Sequence, residues 1–341
     1  MFTRTAFLCC TLVVLFLLPS PASATHVQCG DVIAQDTTLD SDLIDCPGDG
    51  VVIGASGITL DLAGHTIDGT GQGAGGHGVR NAGADNVAVV NGRIQQFQNA
   101  VSIVLSGANV LTGLTLTDSG SAVYLEEASL IQILGNDIRA SGAGVIVFRE
   151  GNFNVIRGNS LSGNGTAVFL VGFSASERPR QTEIADNDVF GNSTGIFVGG
   201  ASLTEVRGNR VVDNTEDGII ESAGAGSSII EGNIASRNGF SGISIASSDA
   251  AAVTGNRTWD NGGDGVLVGS SARRATIRDN FSKGNGDDGI DVDAAGTTVT
   301  RNRANVNTDL GIEAVPGVID GGGNKANGNG NPAQCINVSC R

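Results

Sequence analysis

Residues 277–292 read Ile277-Arg278-Asp279-Asn280-Phe281-Ser282-Lys283-Gly284-Asn285-Gly286-Asp287-Asp288-Gly289-Ile290-Asp291-Val292. The stretch before them, Val253-Thr254-Gly255-Asn256-Arg257-Thr258-Trp259-Asp260-Asn261-Gly262-Gly263-Asp264-Gly265-Val266-Leu267-Val268, has the same plan. A β-branched residue stands three places before an Asn, a second Asn follows five places on, and a Gly-Ile-x-Val run closes the unit. Working outward, the first Asn recurs at 136, 159, 187, 209, 233, 256, 280, 302 and 324, and the second at 164, 192, 214, 238, 261, 285, 307 and 329. A weaker register runs back through Leu114, Gly92 and His65. The mean period is about 23 residues, the range of repeat architectures in which each unit must stack on its neighbour.

Three short β-branched runs in such a period describe one coil of a parallel β-helix; leucine-rich repeats have a similar period but need a leucine framework that is absent. Apolar and polar residues alternate within each run, so one side fills a bore and the other faces solvent. Equivalent Asn residues then stack at strand spacing in the turns, where Asn and Gly tolerate positive φ at little cost. The expected fold is all-β: one single-stranded, right-handed parallel β-helix solenoid of about 11–12 coils. Its expected parts are an N-terminal cap over residues 25–50, the helix over 51–331 and a C-terminal tail or cap over 332–341.

The chain has 341 residues, with 52 Gly but only 6 Pro, and 40% hydrophobic residues, which excludes collagen and Pro-rich disorder. Residues 1–24 read as a secretory signal peptide: Arg4, an apolar run from Ala6 to Leu18, and the small-residue site Ala22-Ser23-Ala24. Export to the periplasm or the extracellular space follows. No later run approaches the ~20 apolar residues of a membrane span. A net charge of −15 disfavours nucleic acid and anionic membrane as partners. In an exported chain, Cys29 with Cys46 and Cys335 with Cys340 read as disulfides. The alternative, one four-cysteine metal site, would require the two ends of the solenoid to meet.

The unit Gly-Asn-x-Ile-x-x-Asn-x-x-Gly-Ile-x-Val resembles the right-handed β-helix repeat of the pectate-lyase-like superfamily, in the flavour shared by NosD-like periplasmic proteins. The segment Ile58-Thr59-Leu60-Asp61-Leu62-Ala63-Gly64-His65-Thr66-Ile67 is similar to the opening coil of such proteins. This resemblance covers residues 50–330 and implies the fold; the scaffold hosts lyases, hydrolases, epimerases and adhesins. Copper handling, implied by NosD, fits poorly, because beyond the leader there is no Met, the four Cys are paired, and only His26, His65 and His77 remain. The epimerases' Tyr/His/Asp/Arg cluster and the polygalacturonases' His and Arg-x-Lys partners have no counterpart. An acidic calcium cluster with a nearby Arg or Lys base, the pectate-lyase inventory, does have one.

That inventory lies between Arg257 and Glu313. Arg257, Trp259, Phe281, Asp291 and Arg303 are candidate substrate contacts, offering flat apolar faces for sugar C–H surfaces and charges for uronates. Lys283, Asp264 and Asp288 are candidate catalytic residues, with Lys283 or Arg257 as base. Asp287, Asp288 and Asp291 are candidate Ca²⁺ ligands. Asp264 and Asp288 occupy equivalent positions one coil apart, and carboxylates that close either bind a cation or push one pKa upward. The competing reading is that these acids are solvated turn residues. A second feature is an apolar stripe, Tyr124, Ile146, Phe169, Phe197 and Ile220, which needs a cover from the loop 173–181, a second copy of the chain, or a glycan. The expected function is a secreted protein that binds an extracellular polysaccharide, with cleavage, lyase-like or hydrolase-like, left open. The alternative is a non-catalytic structural or adhesive protein that self-associates through the stripe.

Overall fold

The computed structural model describes residues 26–174 and 176–341. The leader, residues 1–24, lies outside them. The described chain is an all-β, right-handed parallel solenoid whose coils each contribute to three faces. Face 1 is a 13-stranded sheet that runs the length of the molecule, from Asp31–Ile33 to Ile312–Ala314, and holds the Gly-Ile-x-Val runs. Face 2 carries the strands that precede the first Asn, such as Thr276–Arg278, and face 3 those that follow it, such as Phe281–Lys283. The two faces are separate strands in the first coils, as Thr59–Asp61 and Thr66–Gly69, run together as one bent strand in Ala88–Gln95 and Val110–Thr117, and separate again from Gln132–Leu134 and Asp137–Arg139 onward. Among the described residues the only helical element is a 3-10 turn at Gln72–Ala74, and no helix is long and apolar enough to cross a membrane.

Thirteen coils exceed the 11–12 read from the sequence. Within the segment expected as a cap, residues 26–50 supply a coil, because Asp31–Ile33 pairs in parallel with Val51–Ile53 and Thr37–Thr38 with Leu60–Asp61. Both disulfides form, with Cα–Cα distances of 5.4 Å for Cys29–Cys46 and 6.2 Å for Cys335–Cys340, so the four-cysteine metal alternative falls. The tail reaches the last coil through bridges at Ile312–Cys335 and Asn324–Cys340, which occupy an edge that would otherwise be open.

Inward residues such as Leu60, Ile133, Val168, Ile219 and Ile277 are fully buried and fill the bore. The corners are held by two side-chain amide ladders. In the first, Asn256 Nδ2 donates to Asn280 Oδ1 at 3.1 Å and to the Ile230 carbonyl at 2.8 Å, while Asn280 Oδ1 also accepts the Asn256 backbone N–H at 2.9 Å. The pattern repeats along the series, so the buried amides of this ladder are paired from Asn136 to Asn302. In the second, Asn329 ends the series on Gln334 Oε1 at 2.9 Å. Glycine opens the face-1 runs because a side chain there would collide: a Cβ on Gly265 would stand 2.5 Å from both the Gly289 carbonyl and Thr258 Oγ1.

Candidate functional site

Strand alternation turns Thr258, Ser282 and Ala304 inward on face 3 and leaves the residues flanking them outward. Parallel register aligns Arg257, Phe281, Arg303 and Lys325 in one outward column, and Trp259, Lys283, Asn305 and Asn327 in the next. These columns form an open groove of about 580 Å³ lined by Arg257, Trp259, Asp260, Phe281 and Lys283. It adjoins a second hollow of about 410 Å³ that shares Phe281 and Lys283 and adds Arg303, Asn305 and Asn327. The Arg303 guanidinium lies 6.0 Å from the Phe281 ring centroid, at the outer limit of a cation–π contact. Beneath the groove, Thr258 Oγ1 donates to Ser282 Oγ at 3.0 Å, and Ser282 Oγ donates to the Gly289 carbonyl at 2.7 Å. The floor of the groove is thereby tied to face 1.

The carboxylates gather at the next corner. Asp264, Asp287 and Asp288 each offer an oxygen within 4.8 Å of the others, and Asp288, Asp291 and Glu313 do the same. Asp264 and Asp288 are buried. Asp264 Oδ1 accepts the Asp288 N–H at 3.0 Å, and Asp288 Oδ1 accepts the Leu310 N–H at 2.6 Å. Burial is the main force raising their pKa values. It lifts Asp264 to about 6 despite its bond from Asp288, with Asp287 adding repulsion. Asp288 rises to about 8, helped by a hydrogen bond with Glu313 and by the charges of Asp264 and Asp287. Asp291, on face 1, rises to about 7 through burial and the charges of Asp293, Asp264 and Glu313. Such a corner either retains protons near neutral pH or takes a cation.

The expected site therefore divides in two. Arg257, Trp259, Phe281, Lys283 and Arg303 come together on face 3. Asp264, Asp287 and Asp288 occupy the turn beyond it, Asp291 and Glu313 stand on face 1, and none of these carboxylates lines the groove. Asp260, Asn305 and Lys325 were not singled out from the sequence, although the period that placed Arg303 also places Lys325 one coil on.

The apolar stripe is half-buried along face 1, with Phe169 and Phe197 rings 5.1 Å apart. Phe173, from the insertion, packs edge-on against Phe148 at 5.2 Å. Phe148 pairs with Val171 and Glu126 in the column beside the stripe. The Tyr124 hydroxyl donates to Glu126 at 3.0 Å, and burial with that bond pushes its pKa up to about 12.

Residues 60–234, just over half of the chain, match the family described as periplasmic copper-binding protein (NosD). The chain belongs to the NosD family. Residues 175–329 also match the right-handed β-helix region. The donors present in this NosD-family chain do not fit copper. All four described cysteines are disulfide-bonded, and the histidines are dispersed: His26 bonds Asp40, His65 bonds Asp42 and His77 contacts Asn99. Among solved structures, a periplasmic alginate epimerase AlgG double mutant is 13% identical with a TM-score of 0.61, covering 87% of this chain and 78% of its own. The tailspike double mutant of E. coli bacteriophage HK620, in complex with a pentasaccharide, is 12% identical with a TM-score of 0.57, covering 91% and 73%. The Dettilon tailspike protein is 17% identical with a TM-score of 0.55, covering 87% and 60%. At these identities the likeness is one of fold. No curated protein sequence matches.

Proposed function

We propose that this NosD-family chain is an exported protein that binds an extracellular polysaccharide in the face-3 groove. One observation carries the reading: Trp259 and Phe281 stand one coil apart beside Arg257 and Lys283 in an open trough on a hydrogen-bonded floor. Pyranose rings stack on flat aromatic faces, and hydroxyls or carboxylates take hydrogen bonds from the flanking cations. Neighbours of the same fold support it, since one is crystallised with a pentasaccharide and another is an alginate epimerase.

Cleavage is a second step of the proposal. Lys283 or Arg257 would serve as base, and Asp264, Asp288 and Asp291 would hold Ca²⁺ or neutralise a uronate, with Asp287 completing the cation's ligands. A substrate served by both groups must cross the corner between faces 3 and 1. The test is product analysis by mass spectrometry of acidic and neutral polysaccharides incubated with the protein, with and without calcium. Unsaturated chain ends support a lyase, hydrolytic ends move the chemistry to the Asp264–Asp288 pair, and binding without products leaves a glycan-binding protein.

The alternative, a structural or adhesive protein, draws on the Phe169–Phe197 stripe. It requires a concentration-dependent rise in mass that disappears in Phe169→Ser.

A further inference from the structure

About half of the described Lys and Arg side chains are paired with a neighbouring carboxylate, whereas Arg93, Arg178, Arg273 and Arg341, outside the groove, take part in no ion pair among the described residues. Arg210 pairs with Asp188 at 2.7 Å, Arg237 with Asp213 at 2.7 Å, and Arg301 with Asp279 at 2.8 Å. The column Asp188, Arg210, Ile234, Arg257, Phe281, Arg303, Lys325 on face 3 changes character part-way. Its first cation is paired. Beyond Ile234, Arg257, Arg303 and Lys325, with Lys283 in the adjacent column, take part in no ion pair among the described residues. Asp260, the one carboxylate lining the groove, lies near enough to Arg237 to raise its pKa.

What sets the groove apart is the run: four cations without an ion pair fall on four successive coils of one face, in a chain of charge −15. We infer that the groove's ligand is a polyanionic glycan, bearing uronate or sulfate groups, that lies along the solenoid axis. The inference rests on the glycan-binding reading above. Coils advance by about 4.8 Å, roughly the length of one sugar unit, so successive anions fall opposite Arg257, Lys283, Arg303 and Lys325 in turn while rings contact Trp259 and Phe281. Single-stranded nucleic acid shares the requirement for aromatics and cations. The bulk negative charge and the expected export favour the sugar polymer.

Binding is measured on the whole exported chain by titration with three probes: polygalacturonate oligomers, neutral β-glucan oligomers of equal length, and oligothymidylate. Polygalacturonate should bind, weaken roughly tenfold as salt rises from about 50 to about 500 mM, and lose roughly tenfold or more in Arg303→Glu/Lys325→Glu. Arg303→Gln should lose less, and Arg210→Gln should bind as the parent does, because Arg210 is already neutralised. All these side chains are exposed, and melting curves confirm that each variant folds. Neutral oligomers binding as well as polygalacturonate, with no salt dependence, would overturn the inference while upholding glycan binding. No binding of either sugar would overturn both. Oligothymidylate binding more tightly than polygalacturonate would replace the sugar polymer with a nucleic acid.

Discussion

The carboxyl of Asp264 accepts the backbone N–H of Asp288 at 3.0 Å, so an acid in one coil shapes the corner that carries its equivalent in the next. The bond uses one oxygen of Asp264 and fixes its distance from Asp288. Two acids held this way cannot relax apart when both ionise.

Stability should therefore fall as pH rises through neutrality. Asp264, Asp288 and Asp291 start from 3.8 in the unfolded chain and rise in the fold to about 6, about 8 and about 7, chiefly through burial. Between those limits only the folded chain keeps the protons, and above about 8 their stabilising contribution is gone. Melting temperature should drop between about pH 4 and pH 8, and Asp288→Asn should flatten the drop. An equal drop in the variant would assign the pH dependence elsewhere.

Calcium should act on the same groups in the opposite sense. A cation held by Asp264, Asp287 and Asp288 neutralises the charges that burial penalises, so millimolar calcium at about pH 8 should raise the melting temperature of the parent. Asp264→Asn/Asp288→Asn should show no rise. A rise of the same size in the variant would place the ion at another site.

Trp259 is the sole tryptophan and lines the groove, so intrinsic fluorescence reports on that site alone. Saturating glycan should shift or quench its emission. Trp259→Ala should lose roughly 1–3 kcal/mol of binding, in the range of a lost aromatic stacking contact, with little change in melting. Tight binding with silent fluorescence would move the ligand off face 3.

The first disulfide closes a short loop with a sequence separation of 17 residues in the coil that covers the N-terminal end of the bore. Cys29→Ser should cost about 3 kcal/mol under oxidising conditions. Reductant should lower the parent's melting temperature toward that of the variant, and an unchanged melt in both would mean that the coil holds itself.

A buried ladder residue is expected to be costlier than its single amide suggests. Asn256 donates to Asn280 and to Ile230, and its Oδ1 accepts both the N–H and the Nδ2 of Asn233. At about 1 kcal/mol per bond, Asn256→Ala should lose about 4 kcal/mol in denaturant melts. A loss below about 1 kcal/mol would show that water replaces the amide.

The middle of the solenoid was legible because Asn256 and Asn280 announce both the period and its phase, and two-residue alternation then names the outward side chains of face 3. The N-terminal coil was not. It has no ladder asparagine, and Asp31–Ile33 is too short to declare itself a strand without Val51–Ile53 beside it. Ser119 and Ser141 extend the second ladder backward with hydroxyls, a substitution that a count of asparagines passes over. Register also placed Asp264 and Asp288 together correctly. It could not say that a corner separates them from Lys283, because that depends on the backbone path of Gly284-Asn285-Gly286, where positive φ at Gly284 turns the chain from one face toward the next.

The amide ladders also have a direction. Each Asn side chain offers its free hydrogen to the coil that follows it, from Asn136 through to Asn302, and each Oδ1 receives from the coil before. A growing stack always presents an unsatisfied donor at its C-terminal end, and the next stretch of polypeptide arrives carrying the matching acceptor. A chain delivered N-terminus first can thus assemble like a ratchet, one turn per repeat, without waiting for its far end. Gln334, with its amide oxygen turned onto Asn329, is where that advance is brought to a stop.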